Sequence, residues 1–598
     1  MNMIKYIGLG FFIIALGIFT LSLGLDHYQL TPESISVDTD YHREAILAAA
    51  KENGMLDQEY ATNFAFVADF KKTLKAAQTS LDQQAQDGLP EGVGEWDYKL
   101  GDWKFKDYTL LTTKHSSMGP VASHPFLFWL LTIGLGVLGG LLYILPDLQT
   151  IPGIKNNRIF HDSMTRGLKL GWRALFLGGA IIGLLAYGIS YMGQSFFYPA
   201  LTLVVVGLIT GLVFFFEKSI SRTPARSAGP ENWTAWLGIF TGIYLIGFYL
   251  LLYWSPEYIT SWILLSDPLS YQLNGGEASR WFVYGMLYTV IVLTMGIRML
   301  VKYRHNMYQV VRTGSVMFFQ TAFAFLIPEI LVRLNQPYFD FKNIWPLNYT
   351  FFFDYNINEL INNGGIGIFM LVWGILLVII GVPLFTYFFG KRWYCSWVCG
   401  CGGLAETLGD PYRQLSDKSL RAWKFERWII HGVLVFAVVM TIMVLYTYFT
   451  GSYTIFGFNS DTVRTWYGFL IGSAFAGVVG TGFYPLMGNR VWCRFGCPLA
   501  AYLGLVQRFK SRFRITTNGG QCISCGNCST YCEMGIDVRH YAQRGQDVVR
   551  ASCVGCGICA AVCPRGVLRL ENSAEDVNTR TEELRTILIS KDEVKLMD

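Results

Sequence analysis

The chain has 598 residues, of which 52% are hydrophobic and only 15% are charged, and its formal net charge is +5. Soluble domains carry about 25% charged residues, so this composition excludes an ordinary soluble globular protein and indicates an integral membrane protein. The small net charge gives no support for nucleic-acid binding, and we expect no nucleic acid among the partners.

Ten apolar segments are each long enough to cross a bilayer as a helix, which takes about 20 residues. The segments cover residues 4–24, 126–146, 174–192, 198–216, 235–254, 281–301, 315–334, 366–390, 428–449 and 466–486. The first could be a cleaved signal peptide. We interpret residues 1–24 as a transmembrane anchor, because no small-residue cleavage motif follows them.

Lysine and arginine are distributed unevenly among the loops. If the N-terminus is cytoplasmic, the connecting loops on that side carry 18 Lys and Arg residues, and the short loops on the other side carry 3. This asymmetry is what the positive-inside rule predicts. We therefore expect a multi-pass protein of the bacterial inner membrane. Residues 25–125 are predicted to be a mainly helical periplasmic domain, and the region after residue 487 is predicted to be cytoplasmic.

The central segments offer no redox ligand. Residues 126–334 would form transmembrane helices 2–7, which could bind quinone or build an interface with other subunits. Glu329 is the notable carboxylate of this region, and a carboxylate inside a membrane is a functional candidate. Arg333 follows one helical turn later, so we expect an ion pair between the two.

The cysteines are confined to one part of the chain. All thirteen lie at residue 395 or later, which is cytoplasmic in the predicted topology. Structural disulfides belong to oxidising compartments. These cysteines are therefore interpreted as metal ligands or redox thiols.

Two cysteine motifs dominate the C-terminal region, 516–571. Residues 522–532 read CISCGNCSTYC and residues 553–564 read CVGCGICAAVCP, so both have the spacing C-x2-C-x2-C-x3-C. Bacterial ferredoxins hold two [4Fe–4S] clusters with this spacing, and the fourth cysteine of each motif binds the other cluster. Zinc sites, the alternative, pair C-x-x-C units across a longer gap. The predicted ligands are Cys522, Cys525, Cys528 and Cys563 for the first cluster, and Cys553, Cys556, Cys559 and Cys532 for the second.

A second repeat lies in the membrane region, residues 366–515, which carries transmembrane helices 8–10. Residues 390–400 read GKRWYCSWVCG and residues 488–498 read GNRVWCRFGCP. If both segments stay helical, the cysteines of each C-x3-C pair share one face. Two such faces would bring together Cys395, Cys399, Cys493 and Cys497 at the cytoplasmic edge of the membrane.

This four-cysteine site is open to several interpretations. It could hold a third iron–sulfur cluster, act as redox thiol pairs that bind copper or zinc transiently, hold a structural zinc, or have no metal role. Cys401 could replace a ligand or be an inert small apolar residue. Arg392 and Arg490 precede the two pairs, and we expect them to extend to the membrane interface.

These features together resemble the membrane polyferredoxins, over about residues 366–570. The family pattern is C-x3-C-P twice; here Pro498 follows Cys497, whereas Gly400 follows Cys399. Such proteins accompany periplasmic nitrate reductase and nitrous oxide reductase, and a related branch helps assemble copper-containing cytochrome oxidases by reducing copper. The resemblance implies electron transfer between a cytoplasmic or quinone pool and a periplasmic acceptor.

The sequence therefore predicts an α-helical integral membrane protein of about ten transmembrane helices, with a small α+β ferredoxin-like C-terminal domain. Its function would be electron transfer, as a subunit of an oxidoreductase complex, with respiratory subunits or a periplasmic redox protein as partners. The alternative is an assembly factor that reduces or delivers a metal for a respiratory oxidase. The polar tail, residues 572–598, is expected to be partly helical.

Overall fold

The structure is a computed structural model. It describes residues 2–87, 93–94, 98–150, 152–153, 233–455, 457–518 and 521–572, together with the backbone of strands 586–589 and 594–597. Most of these residues are helical. Within this part of the chain, six helices are long and apolar enough to cross a membrane. They are Met3–Gly24, Pro125–Gln149, Arg280–Tyr303, Met307–Arg333, Gly364–Phe389 and Leu420–Thr450.

Six of the ten predicted spans correspond to these helices. The predicted spans 174–192 and 198–216 lie outside the described residues. The span predicted at 235–254 is the helix Trp233–Trp254, of which Phe240–Trp254 forms a shorter apolar helix. The last predicted span is helical in three consecutive pieces, Ser460–Tyr467, Gly468–Val479 and Gly480–Gly482, and is not one of the six.

The segment after the first helix folds into a small, mainly helical unit with one sheet. Its longer helices are Asp40–Glu52, Asn63–Asp87 and Asp102–His115. Strand His27–Gln29 pairs antiparallel with both Glu59–Tyr60 and Ser117–Met118, and Tyr28 lies opposite Tyr60. Aromatic and aliphatic side chains fill the space between helices and sheet, among them the fully buried Phe66 and Phe70.

This unit packs on the connection between two apolar helices. Lys114 is buried and forms ion pairs of 2.9 Å with both Asp267 and Glu277. Asn63 donates hydrogen bonds of 3.1 Å to the carbonyl of Glu257 and to the hydroxyl of Thr260. Residues 27–118 and residues 257–278 therefore lie on the same side of the helices.

The C-terminal region combines short helices with a two-stranded sheet. Strand Arg514–Thr517 pairs antiparallel with Leu568–Glu571, and an isolated bridge joins Ile515 to Val548. The helices are Asn527–Thr530, Val538–Gln543 and Ile558–Ala561. The pairing joins the two ends of the cysteine-rich segment.

In the polar tail the structure describes two strands, and the rest of the segment predicted to be partly helical lies outside the described residues. Strands Thr586–Ile589 and Val594–Met597 form an antiparallel hairpin, with Thr586 opposite Met597. The physical reason is local sequence, since threonine, isoleucine and valine favour extended backbone.

Candidate functional site: a cysteine-rich redox centre

The two cysteine motifs of the C-terminal region surround two separate cavities. One cavity is lined by Cys522, Cys525, Cys528 and Cys563. The other is lined by Cys532, Cys553, Cys556 and Cys559. Each cavity thus receives three cysteines from one motif and the fourth from the other motif.

The backbone wraps both cavities through residues that take left-handed conformations. Gly526, Gly555 and Gly557 have φ of 82°, 61° and 75°, values that residues other than glycine rarely adopt. Gly526 and Gly557 each precede a one-turn helix. These turns let the thiols of one short loop converge on a common centre, so the residues fit a cubane cluster.

The two cavities differ in exposure. Cys553 and Cys559 are buried, whereas Cys525 is exposed and its neighbour Ile523 is 54% exposed. Burial raises the pKa of the Cys553 thiol to about 11. A buried neutral thiol becomes a thiolate ligand when a metal displaces its proton.

The loop of the second motif is held by side chains from the membrane region. Gln309 donates to the carbonyl of Cys556 at 2.7 Å, and Tyr308 donates to that of Gly555 at 2.8 Å. The hydroxyl of Ser396 donates to the carbonyl of Val554 at 2.7 Å. The second cavity is therefore fixed against the helices, whereas the loop of the first cavity is exposed at residues 523–525.

The C-x3-C segments are not continuous helices, contrary to our premise. A one-turn helix ends at Cys395, and Cys399 has an extended backbone just before helix Gly400–Thr407. Cys497 likewise has an extended backbone before helix Pro498–Lys510, and its sulfur accepts a hydrogen bond from the amide of Ala500. The residue directly before a helix commonly takes this conformation, and at Cys497 the sulfur also satisfies a free amide of the helix.

The four cysteines nevertheless lie together. All four are buried within one cluster of packed side chains. Arg490 joins the two segments, because its Nη1 lies 3.2 Å from the carbonyl of Cys395 and 3.7 Å from the sulfur of Cys493. Among the described residues, no group of three or more His, Cys, Asp or Glu side chains is placed to hold a single metal ion.

We expected the four-cysteine site at the ends of the membrane-capable helices. The structure places it further along them. A Cβ atom built on Gly400 would meet Gln320 Oε1 at 2.5 Å and Tyr288 at 3.6 Å. Gln320 is the middle residue of helix Met307–Arg333. Gln309, near the start of the same helix, contacts the C-terminal region. Gln320 lies 11 residues further on, about 16 Å along the helix axis. The chain turns back after helix Gly364–Phe389 and places the site deep among the helices.

The connection 334–353 reaches the same site from the other direction. Its backbone forms turns and no regular helix. Ile344 belongs to the buried cluster that contains the four cysteines, and the carbonyl of Lys342 accepts a 2.8 Å hydrogen bond from Tyr394. In the predicted topology this connection enters from the outer side.

A buried network of charges links the two cysteine-containing regions, and sequence reasoning missed it. Glu406 forms ion pairs with Arg312 and Arg490. Arg490 also contacts Glu533 at 3.0 Å, and Glu533 contacts Arg413 at 2.8 Å. Burial would raise the pKa of the Glu533 carboxyl, but the charges of its arginine partners hold it well below its usual range.

The network reverses our expectation for Arg490, which is 1% exposed and extends inward. Arg392 lies over the ring of Phe513 at 4.6 Å and donates to Asn572. One signal was present in the sequence: Glu533 stands where the second motif has a proline. An acidic residue at such a position needs a cationic partner.

The prediction of an ion pair between Glu329 and Arg333 is also wrong. Glu329 accepts a 2.7 Å hydrogen bond from the side-chain amide of Asn274, and Arg333 donates to the carbonyl of Gln272. Both side chains thus bind the connection that precedes helix Arg280–Tyr303.

Two family models match the parts of the chain that hold these cysteines. A 4Fe-4S dicluster domain matches residues 521–568, and a 4Fe-4S binding domain matches twice, at residues 371–423 and 468–516. The chain carries ferredoxin-type 4Fe-4S domains. The dicluster domain provides for two [4Fe–4S] clusters, and each match of the second domain includes one C-x3-C pair.

Two curated relatives share part of this region, consistent with the polyferredoxin family. The putative electron transport protein YccM of Escherichia coli is 28% identical over 159 residues, which are 25% of this chain and 43% of that protein. The methylamine utilization ferredoxin-type protein MauN of Methylobacillus flagellatus is 26% identical over 161 residues, or 25% of this chain and 50% of that protein. The chain thus spans about half the length of these relatives or less. No solved structure matches it significantly.

Proposed function

We propose that this chain is a membrane-bound iron–sulfur protein that passes electrons across the bilayer, between a cytoplasmic donor and a respiratory acceptor on the other side. The observation that carries the proposal is the position of the four-cysteine site. It adjoins the second cysteine cavity, because the hydrogen bond from Ser396 to Val554 joins the neighbours of Cys395 and Cys553. It also lies beside the middle of helix Met307–Arg333.

In this proposal three sets of four cysteines hold the cofactors. The first and second clusters are bound by the cysteines that line the two cavities, and a third cluster is bound by Cys395, Cys399, Cys493 and Cys497. Each bound cluster would supply one-electron oxidation and reduction. The repeated match to a 4Fe-4S binding domain around the C-x3-C pairs supports the third cluster.

The other residues of the chain have supporting roles. Gln309, Tyr308 and Ser396 hold the loop of the second motif against the helices. The buried ion pairs of Arg490 fix the two C-x3-C segments relative to Cys532. These buried contacts would hold the redox sites at a fixed spacing, as a precise functional site requires.

The outer part of the chain completes the proposed route. The connection 334–353 reaches inward to the four-cysteine site, and the unit formed by residues 27–118 packs on residues 257–278 of the same side. We assign to residues 25–125 the docking of a periplasmic redox protein or another respiratory subunit. A quinone bound among the transmembrane helices that the sequence predicts for residues 126–334 is an alternative acceptor.

Electron transfer across a sealed membrane tests the proposal. The protein is purified anaerobically and reconstituted into liposomes that contain oxidised cytochrome c, and titanium(III) citrate is added outside. We expect reduction of the enclosed cytochrome c, and loss of that reduction in Cys493→Ser. Reduction of the C-terminal clusters without reduction of the enclosed acceptor would contradict transmembrane transfer.

A further inference from the structure

The two cysteine cavities of the C-terminal region are not equivalent. The backbone around the second is covered, since Gln507 donates to the carbonyls of Arg550 and Cys553 at 2.6 and 3.0 Å. The first cavity has its loop exposed at Ile523, Ser524 and Cys525. The geometry therefore leaves the first cavity as the one accessible to a soluble protein.

The exposed charge that residues 521–572 place near the first cavity has one sign. Within the described residues 521–572, the exposed charged side chains are all arginines: Arg539, Arg544, Arg565 and Arg569. The four acidic residues of this range are buried or partly buried, and Glu533 and Asp537 are bonded inward to Arg413 and Ser529. Arg539 and Arg565 line the cavity itself.

A local hydrogen bond holds the helix before Arg544 against the exposed loop. Gln543 donates to the hydroxyl of Ser524 at 2.7 Å, which ties helix Val538–Gln543 to the cysteine loop. Arg544 follows that helix directly. We call the surface formed by Ile523, Cys525, Arg539, Arg544 and Arg565 the basic docking face. An apolar centre with a charged rim is the usual anatomy of a protein interface.

We propose that the basic docking face binds an acidic, soluble one-electron carrier protein, which delivers electrons to the first cluster. The inference deepens the proposed function and depends on it, because it names the class of donor. In each encounter the carrier is oxidised by one electron and the chain is reduced by one electron, and no bond or proton is exchanged. Complementary charge accelerates such encounters by 10- to about 1,000-fold and makes them sensitive to salt.

Stopped-flow reduction of the full-length, cluster-loaded protein in detergent tests this inference. Two reductants are compared: flavodoxin hydroquinone, an acidic protein carrier, and reduced methyl viologen, a small cation. The variant is Arg544→Gln with Arg565→Gln. The matched control is Arg43→Gln with Lys75→Gln, which removes the same charge from exposed positions of the N-terminal unit.

We expect the variant to react about tenfold more slowly with flavodoxin at low ionic strength, with a smaller difference at high salt. Its rate with methyl viologen and both rates of the control should match the unaltered protein. An unchanged flavodoxin rate, or an equal loss with both reductants, would overturn the docking face. So would a flavodoxin rate that rises with salt, because an acidic segment of the chain itself would then cover the face. Failure of methyl viologen to reduce the unaltered protein would instead contradict the proposed function.

Discussion

Glu533 and Arg490 form a fully buried ion pair, with Oε1 and Nη2 3.0 Å apart. Glu533 directly follows Cys532 of the C-terminal region, and Arg490 lies three residues before Cys493 of the membrane region. The pair therefore joins the cysteine-containing parts of the two regions through a buried contact. Breaking one member of such a pair leaves the other charge buried and costs about 3–5 kcal/mol.

Neutralising Glu533 should loosen the C-terminal region from the membrane helices. In Glu533→Gln, Arg490 and Arg413 lose a shared carboxylate, and we expect a stability loss of about 3 kcal/mol. Thermal unfolding and limited proteolysis in detergent measure it. Asp461→Asn is the control, since Asp461 is paired with Arg464 at an exposed position where such a pair contributes about 0–1 kcal/mol. Equal stability of the two variants would contradict a role for the buried network in docking.

Gly402 should tolerate no larger side chain. A Cβ atom at this position would overlap the carbonyl of Cys395 and lie 2.9 Å from Arg490 Nη1. We expect Gly402→Ala to disturb the four-cysteine site, with loss of its iron and a destabilisation of 1–3 kcal/mol, roughly the cost of overpacking. Gly365→Ala is the matched control, because a Cβ there meets nothing within 4 Å. If both variants keep the same iron content, the close packing around Cys395 is not needed for the site.

Substitution of Cys493, a member of the four-cysteine site, and of Cys401, which lies beside it, should change the iron content differently. Cys493→Ser should remove the iron of one [4Fe–4S] cluster, about four atoms per chain, and leave the C-terminal clusters in place. Cys401→Ser should leave iron unchanged, because the four buried cysteines suffice for a cubane. Iron analysis with EPR of the reduced protein distinguishes the two. A loss of iron in Cys401→Ser would make Cys401 a ligand.

The proposed orientation makes a prediction for reporter fusions. A reporter that is active only in the cytoplasm should be active when it is fused after residue 598. A reporter that is active only in the periplasm should be active when it is inserted near residue 53, in the turn after helix Asp40–Glu52. Activity on the opposite sides would reverse the topology and exclude a cytoplasmic donor for the first cluster.

The sequence predicted those parts of the structure that depend on spacing or on long apolar runs. The cysteine spacing of the two C-terminal motifs indicated three ligands from one motif and one from the other, and the cavities receive their cysteines in this pattern. Ten spans were predicted, and six of them are long apolar helices in the described residues, because about 20 apolar residues leave few alternatives in a bilayer.

Features that depend on distant contacts could not be predicted. Arg490 looked like an interfacial arginine, because its partners Glu406 and Glu533 are 84 and 43 residues away. The position of the four-cysteine site along the helices follows from the packing of Gly400 on Gln320 and Tyr288. These residues are distant in the sequence, so no local pattern predicts the contact. Cys399 and Cys497 have extended backbones because each stands directly before the next helix, which a helical periodicity does not reveal.

Iron and acid-labile sulfide per chain, measured on anaerobically purified protein together with zinc and copper, test the central claim most directly. Three [4Fe–4S] clusters require about twelve iron and twelve sulfide per chain. We predict that value for the unaltered protein and about eight of each for Cys493→Ser. About eight in the unaltered protein would confine the clusters to the C-terminal region. The four-cysteine site would then handle thiols or another metal, and electron transfer through it would be contradicted.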